Sequence, residues 1–190
     1  MSEIVNDAGE TVEPTHTVEL TVNGQPVTID VPGRRLLSDA LRVELGLTGT
    51  HVGCEHGVCG CCTVLVDDLP MRSCLLFAVA ADGRHIRTVE GLAAPGPVAG
   101  ASSPGEPSLH PIQEAFRECH GLQCGFCTPG FLMTTTALLE RHPDPTDDQI
   151  TEALAGNLCR CTGYQNIETA VRLAADRLRA DDPAGSGADR

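Results

Sequence analysis

Ten cysteines stand out in this chain of 190 residues, and eight of them fall into two sets with metal–sulfur spacing. Cys54, Cys59, Cys62 and Cys74 are separated by four, two and eleven residues. A C-x4-C-x2-C loop with a distant fourth cysteine is the plant-type [2Fe–2S] spacing: a wrapping loop places three thiolates around the cluster edge and a neighbouring strand brings the fourth. Gly49, Gly53, Gly57 and Gly60 punctuate the loop, letting backbone N–H groups approach and aim at sulfur. Zinc is the competing reading of such a set. Structural zinc, however, prefers two short knuckles to one extended loop and a lone distant cysteine. The second set, Cys124 and Cys127 with Cys159 and Cys161, reads C-x2-C followed by C-x-C. By count alone these four thiolates suit zinc or [2Fe–2S]. The seven His show no paired ligand spacing, so His51, His56 and His120 read as surface or loop polar groups.

The elements that must hold these thiols can be read from periodicity. Residues 1–15 are acidic, without apolar periodicity, and read as a disordered tail. Val18, Leu20 and Val22 alternate, Asn23-Gly24 supplies a turn, and Val27, Ile29 and Val31 alternate again, which predicts a β-hairpin. Leu37, Leu41 and Leu45 predict a short helix stopped at Gly46. Thr63–Val66, Met71–Leu76 and Arg84–Val89 read as further strands. The stretch 93–108 is rich in Pro and Gly and reads as a linker. Beyond it, strand signals vanish. Four helices are predicted: from Pro111 to about Cys119, from Pro129 to before Pro143, from a Thr146/Gln149 capping box to near Gly156, and through Ile167, Val171, Ala174, Ala175 and Leu178. Both pairs of the second set thus lie at helix ends, where free backbone donors can meet sulfur. The expected division is a domain over 16–92, the linker, a helical domain over 109–180 and a second tail over 181–190.

Composition narrows the function. Lys plus Arg number 13 against 26 Asp plus Glu, a net charge of -13, which argues against a nucleic-acid binder. Aromatic content is 3%, with no Trp and one Tyr, which leaves few stacking platforms. No stretch approaches the ~20 apolar residues of a membrane span, and the amino terminus lacks a signal-peptide pattern. A cytoplasmic location is therefore expected, where thiols serve metal or redox chemistry before disulfides.

The strings GCEHGVCGCCTVLV, HGLQCGFCTPGFLM and GNLCRCTGYQNI resemble the small iron–sulfur subunit of the molybdenum hydroxylases. That family includes xanthine dehydrogenases, aldehyde and N-heterocycle oxidoreductases, and aerobic carbon monoxide dehydrogenase. The resemblance runs over residues 16–180. It implies an α+β architecture, with a β-grasp plant-type ferredoxin-like domain followed by a four-helix [2Fe–2S] domain. It assigns Cys54, Cys59, Cys62 and Cys74 to one [2Fe–2S] cluster and Cys124, Cys127, Cys159 and Cys161 to a second. Its register selects Cys62 over Cys61, so Cys61 reads as a small buried side chain, and Cys119 as packing within a helix. It further implies a large partner carrying a molybdopterin dinucleotide and a medium partner carrying FAD, as a dimer of heterotrimers. Gln123 and Cys161 would contact the pterin. The helical cluster would then lie nearer molybdenum and the first cluster nearer FAD. Cys61, the long linker and both tails depart from the usual pattern, and none touches the eight ligands.

The function implied is an electron-transfer subunit of an oxidoreductase, with no catalytic residue of its own. A free-standing ferredoxin needs only one site, and a zinc-stabilised interaction module would be colourless. Carbon monoxide, aldehydes, purines and other N-heterocycles all stay open as substrates, because the large subunit chooses among them. Phe126, Phe131, Leu132 and Met133 exceed what a small helical domain can cover, so part of this group is expected at the interface with the molybdenum subunit.

Overall fold

The computed structural model describes residues 13–93 and 109–181. Residues 1–12, 94–108 and 182–190, which carry the expected linker and most of both tails, lie outside the described residues. Alternating burial builds the first hairpin: β1 (Thr15–Val22) pairs antiparallel with β2 (Gln25–Pro32), with Val18 opposite Ile29 and Leu20 opposite Val27. Asn23 and Gly24 both adopt positive φ, 50° and 77°, the left-handed turn whose twist matches a tight hairpin. β1 begins inside the stretch read as tail.

The predicted helix at Leu37 is shorter and wider than expected. One α turn, α1 (Leu37–Asp39), passes directly into a π turn over Ala40–Glu44. Leu37 and Leu41 are fully buried with Leu45 packed behind them, a four-residue spacing that the wider turn keeps on one face.

β3 (Thr63–Val66), β4 (Leu69–Arg72) and β5 (His85–Arg87) complete a five-stranded sheet of order β2-β1-β5-β3-β4. β1 and β5 run parallel and the other neighbours antiparallel. The strand expected at Met71–Leu76 is displaced. The amide and hydroxyl of Ser73 both bond the Cys62 carbonyl, at 3.2 and 2.7 Å, and the chain turns through a 3-10 segment at Ser73–Leu75. The strand expected to Val89 stops at Arg87, since the Thr88 amide donates to Asn23 Oδ1 at 2.8 Å and a 3-10 turn follows.

The helical half contains α2 (Pro111–Glu118), α3 (Thr128–Arg141), α4 (Asp147–Leu154) and α5 (Gln165–Asp181). Reciprocal capping boxes start α2 at His110 and α4 at Thr146. β3 joins the halves because it is buried on both faces: Val64 and Val66 lie in the sheet core, whereas Leu65 lies in the core of the helices. This corrects the surplus of apolar groups expected in the helical half. Phe131, Leu132 and Met133 are buried in that shared core, and of the four only Phe126, 47% exposed, stays open.

Candidate metal centres

The first set sits where a loop wraps in front of β3 and β4. Cys54 and Cys59 lie in the loop, Cys62 leads into β3, and Cys74 lies in the 3-10 turn after β4. Glu55, Gly57 and Gly60 take positive φ as the loop curls. At Gly57, φ 80°, an L side chain would be strained by the backbone, and its Cβ would also push aside the exposed Leu75 side chain. The Cys59 amide donates to Cys54 Sγ at 3.4 Å. That bond, helped by the His56 amide, holds the Cys54 thiol down to about 6. Burial, and then the Cys62 sulfur beside it, pushes Cys74 up to about 11. Cys61 and Cys62 are both buried and form the turn into β3, closed by the Thr63 amide donating to the Gly60 carbonyl at 3.1 Å. Cys62 meets Cys74, whereas Cys61 meets Cys59 and is held up to about 12, chiefly by burial.

The second set is built from helix ends. Cys124 and Cys127 lie in the turn that starts α3, and Cys159 and Cys161 in the segment between α4 and α5. Cys161 Sγ lies 3.6 Å from Cys124 Sγ, and that contact raises the Cys161 thiol. Cys127 meets Cys159; burial first, then this neighbour, pushes Cys127 up to about 12. Burial acts to raise Cys159 as well, but the Thr162 hydroxyl, 3.1 Å from its sulfur, and backbone donors bring it below the ordinary thiol value. Cys124, Cys161 and Gln123 are exposed on one edge, whereas Cys159 is buried and Cys127 half-buried.

Within the sets Cys124 neighbours Cys161, Cys127 neighbours Cys159 and Cys62 neighbours Cys74, while Cys59 neighbours Cys54 and also the non-member Cys61. Among the described residues no three His, Cys, Asp or Glu groups converge as around a single ion. Two pairs of thiols are the donor set of a dinuclear cluster, in which each iron takes two terminal sulfurs, rather than of a four-coordinate zinc. The residues present fit [2Fe–2S]. Cys119 is half-buried and packs against the helical core.

The two sets also meet. The Leu158 amide, next to Cys159, donates to the Cys59 carbonyl at 2.9 Å. Asn157 Nδ2 donates to the Gly60 carbonyl at 3.1 Å, and Arg72 donates to the carbonyl of Gly156 while its other arm reaches Thr63 Oγ1 at 2.7 Å. His51 is more than a surface polar group: its Nδ1 lies 2.8 Å from the Phe126 carbonyl and its ring stacks on Phe126. Sequence reasoning missed Asn157, Arg72 and Tyr164, whose hydroxyl accepts from the Cys159 amide at 3.1 Å. Their one signal was proximity in sequence to a cysteine, which for Asn157 and Arg72 does not reveal a partner from the other half.

Comparisons with known proteins agree with this arrangement. A family model for a 2Fe-2S iron-sulfur cluster binding domain matches residues 20–88, and one for a [2Fe-2S] binding domain matches residues 88–172. Caffeine dehydrogenase subunit gamma of Pseudomonas sp. (strain CBB1) is 55% identical over 161 residues, covering 83% of this chain and 90% of that protein. Nicotine 6-hydroxylase small subunit of Paenarthrobacter nicotinovorans is 52% identical over 170 residues, covering 88% and 96%. Among solved structures, quinoline 2-oxidoreductase from Pseudomonas putida 86 contains a chain 47% identical, with a TM-score of 0.78, covering 87% of this chain and 97% of that one. Two iron–sulfur domains in sequence order, and relatives above half identity over nearly their whole length, place the chain in a family: it belongs to the small iron–sulfur subunits of the molybdenum hydroxylases.

Proposed function

We propose that this chain is the electron-transfer subunit of a molybdenum hydroxylase, linking a molybdopterin site on a large partner to FAD on a medium partner. Cys54, Cys59, Cys62 and Cys74 would hold one [2Fe–2S] cluster and Cys124, Cys127, Cys159 and Cys161 the other. When bound, each cluster supplies one-electron storage with little change in its thiolate cage. The chain itself contributes the thiols, N–H groups aimed at sulfur, and a junction between the sets around the buried Asn157. The observation that carries the reading is the pairing of neighbouring sulfurs within two sets that a single backbone hydrogen bond joins, Leu158 to Cys59.

Polarity along the chain supports the order of partners. Cys124, Cys161 and Gln123 lie exposed on one edge, where an amide and a ligand sulfur suit a pterin. Cys159 is buried and Cys127 half-buried, with Cys61 close enough to act on Cys127. The first loop ends in Glu55 and His56, both exposed, with Val58, Leu75 and Phe77 open around it, an apolar rim fitted to the flavin-bearing partner. Two such heterotrimers would pair, in the cytoplasm. Among the described residues no helix is long and apolar enough to cross a membrane.

The relatives above act, by name, on caffeine, nicotine and quinoline. All three are N-heterocycles, and we infer that the complex containing this chain hydroxylates a ring of that class. Rapid mixing of substrate with a Cys59→Ser complex tests the electron route. Substrate should still reduce molybdenum and the helical-half cluster while flavin reduction is blocked; flavin reduction at the normal rate without the first cluster would overturn the order.

A further inference from the structure

We propose that Asn157 is a positioning residue that, with Gly60 and Gly130, fixes the separation of the two cysteine sets and so the rate at which an electron crosses between them. This rests on the electron-transfer reading above. Asn157 is 2% exposed. Its Nδ2 donates to the Gly60 carbonyl at 3.1 Å, and its Oδ1 accepts from Thr134 Oγ1 at 3.0 Å. One side chain thus bonds the first cysteine loop and α3 at once, while lying in the segment that leads to Cys159. A buried amide with both ends satisfied rigidifies its surroundings, and removing a partner leaves a buried polar group unpaired.

The glycines remove slack from the same spot. Gly60, at φ 75°, would place a Cβ 2.5 Å from the Gly156 carbonyl oxygen. Gly130, in the first turn of α3, would place a Cβ 2.2 Å from the Gly60 carbonyl oxygen and 3.0 Å from Cys61 Cα. Three backbones therefore meet with no room for a methyl group. Gly60 follows Cys59, Gly130 follows Cys127 by three residues, and Asn157 precedes Cys159 by two. The clamp sits beside a member of each set on their facing sides, around the Leu158-to-Cys59 bond.

The test uses the complex with both clusters loaded. Asn157→Leu keeps the shape and removes both hydrogen bonds, Thr134→Val removes one, and Thr134→Ser retains it. Gly130→Ala is a wedge at a helical position where alanine is otherwise favoured; its contact must open by about 1 Å to reach ordinary van der Waals distance. Iron and sulfide content and the potential of each cluster are the controls. The readouts are the magnetic dipolar splitting between the reduced clusters and the rate of electron equilibration between them after rapid reduction. Asn157→Leu and Gly130→Ala should keep full iron and both potentials, show a weaker splitting and equilibrate several-fold more slowly. Thr134→Val should fall between them and wild type, and Thr134→Ser should match wild type. If Asn157→Leu loses a cluster, Gly130→Ala and Thr134→Val decide by the same readouts. Unchanged splitting and rate in loaded variants, or loss of a cluster in all three, would overturn the clamp. A wild-type complex without two reducible clusters would instead overturn the electron-transfer reading.

Discussion

Cys61→Ala and Cys62→Ala differ by one position and should differ completely in outcome. Cys61 is 5% exposed and its thiol is held neutral by burial. Removing its sulfur deletes a buried group of roughly methylene size and leaves a small void, which together cost about 1 to 2 kcal/mol. In a domain of this size that lowers the unfolding temperature by a few degrees, ~2–4 °C per kcal/mol. The cluster should stay, because the pairs Cys54–Cys59 and Cys62–Cys74 are untouched. Cys62→Ala instead breaks a pair and leaves three thiols. The first cluster should be lost, taking with it half of the iron and the folding free energy that binding supplies. Iron and acid-labile sulfide per chain, read beside thermal unfolding, separate the two. Bleaching by Cys61→Ala with full content in Cys62→Ala would refute the assignment of Cys62, the neighbour of Cys74, to the site.

Two further predictions follow from local hydrogen bonding. His110 starts α2 by accepting from the Ile112 amide through a ring nitrogen, so it must be neutral there. Burial, partly opposed by Glu140 and reinforced by Arg87, holds its value below the ordinary 6.5. A depressed histidine contributes its stability in full above 6.5 and loses it as pH falls through the folded value. Wild type should lose about 1 kcal/mol more than His110→Asn, which keeps a cap without titrating, between neutral and acid pH; parallel melting curves across that range would contradict it. Tyr164→Phe removes the acceptor of the Cys159 amide and should cost about 1 kcal/mol while keeping both clusters. Loss of the second cluster in that variant would show the hydroxyl holding the site itself.

Much of this architecture is legible locally, and what is hidden is long-range. The Asn23-Gly24 hairpin, the two proline-opened helices and the Thr146 box are written in neighbouring residues, and each forms as its pattern predicts. The β4 segment was misplaced because the Cys62 carbonyl, eleven residues away, draws in Ser73 and turns the chain. Helix α1 changes to a π turn with no glycine or proline to announce it. The apolar run Phe131–Met133 looked like interface because Leu65, its cover, belongs to the other half. Cysteine spacing alone leaves the second set open between zinc and iron, since spacing does not tell which sulfurs touch. Asn157 carries no motif; its meaning comes from Gly60, ninety-seven positions earlier.

The most direct test of the central claim is potentiometric electron paramagnetic resonance on the purified complex, with metal analysis of the same sample. Two complete sets of paired thiols in unlike surroundings, one a curled loop and one a meeting of helix ends, should give two distinguishable [2Fe–2S] signals of equal intensity, each appearing in a one-electron step, with equal iron and sulfide and no zinc. A single signal with half the iron, and zinc in the helical site, would contradict the account.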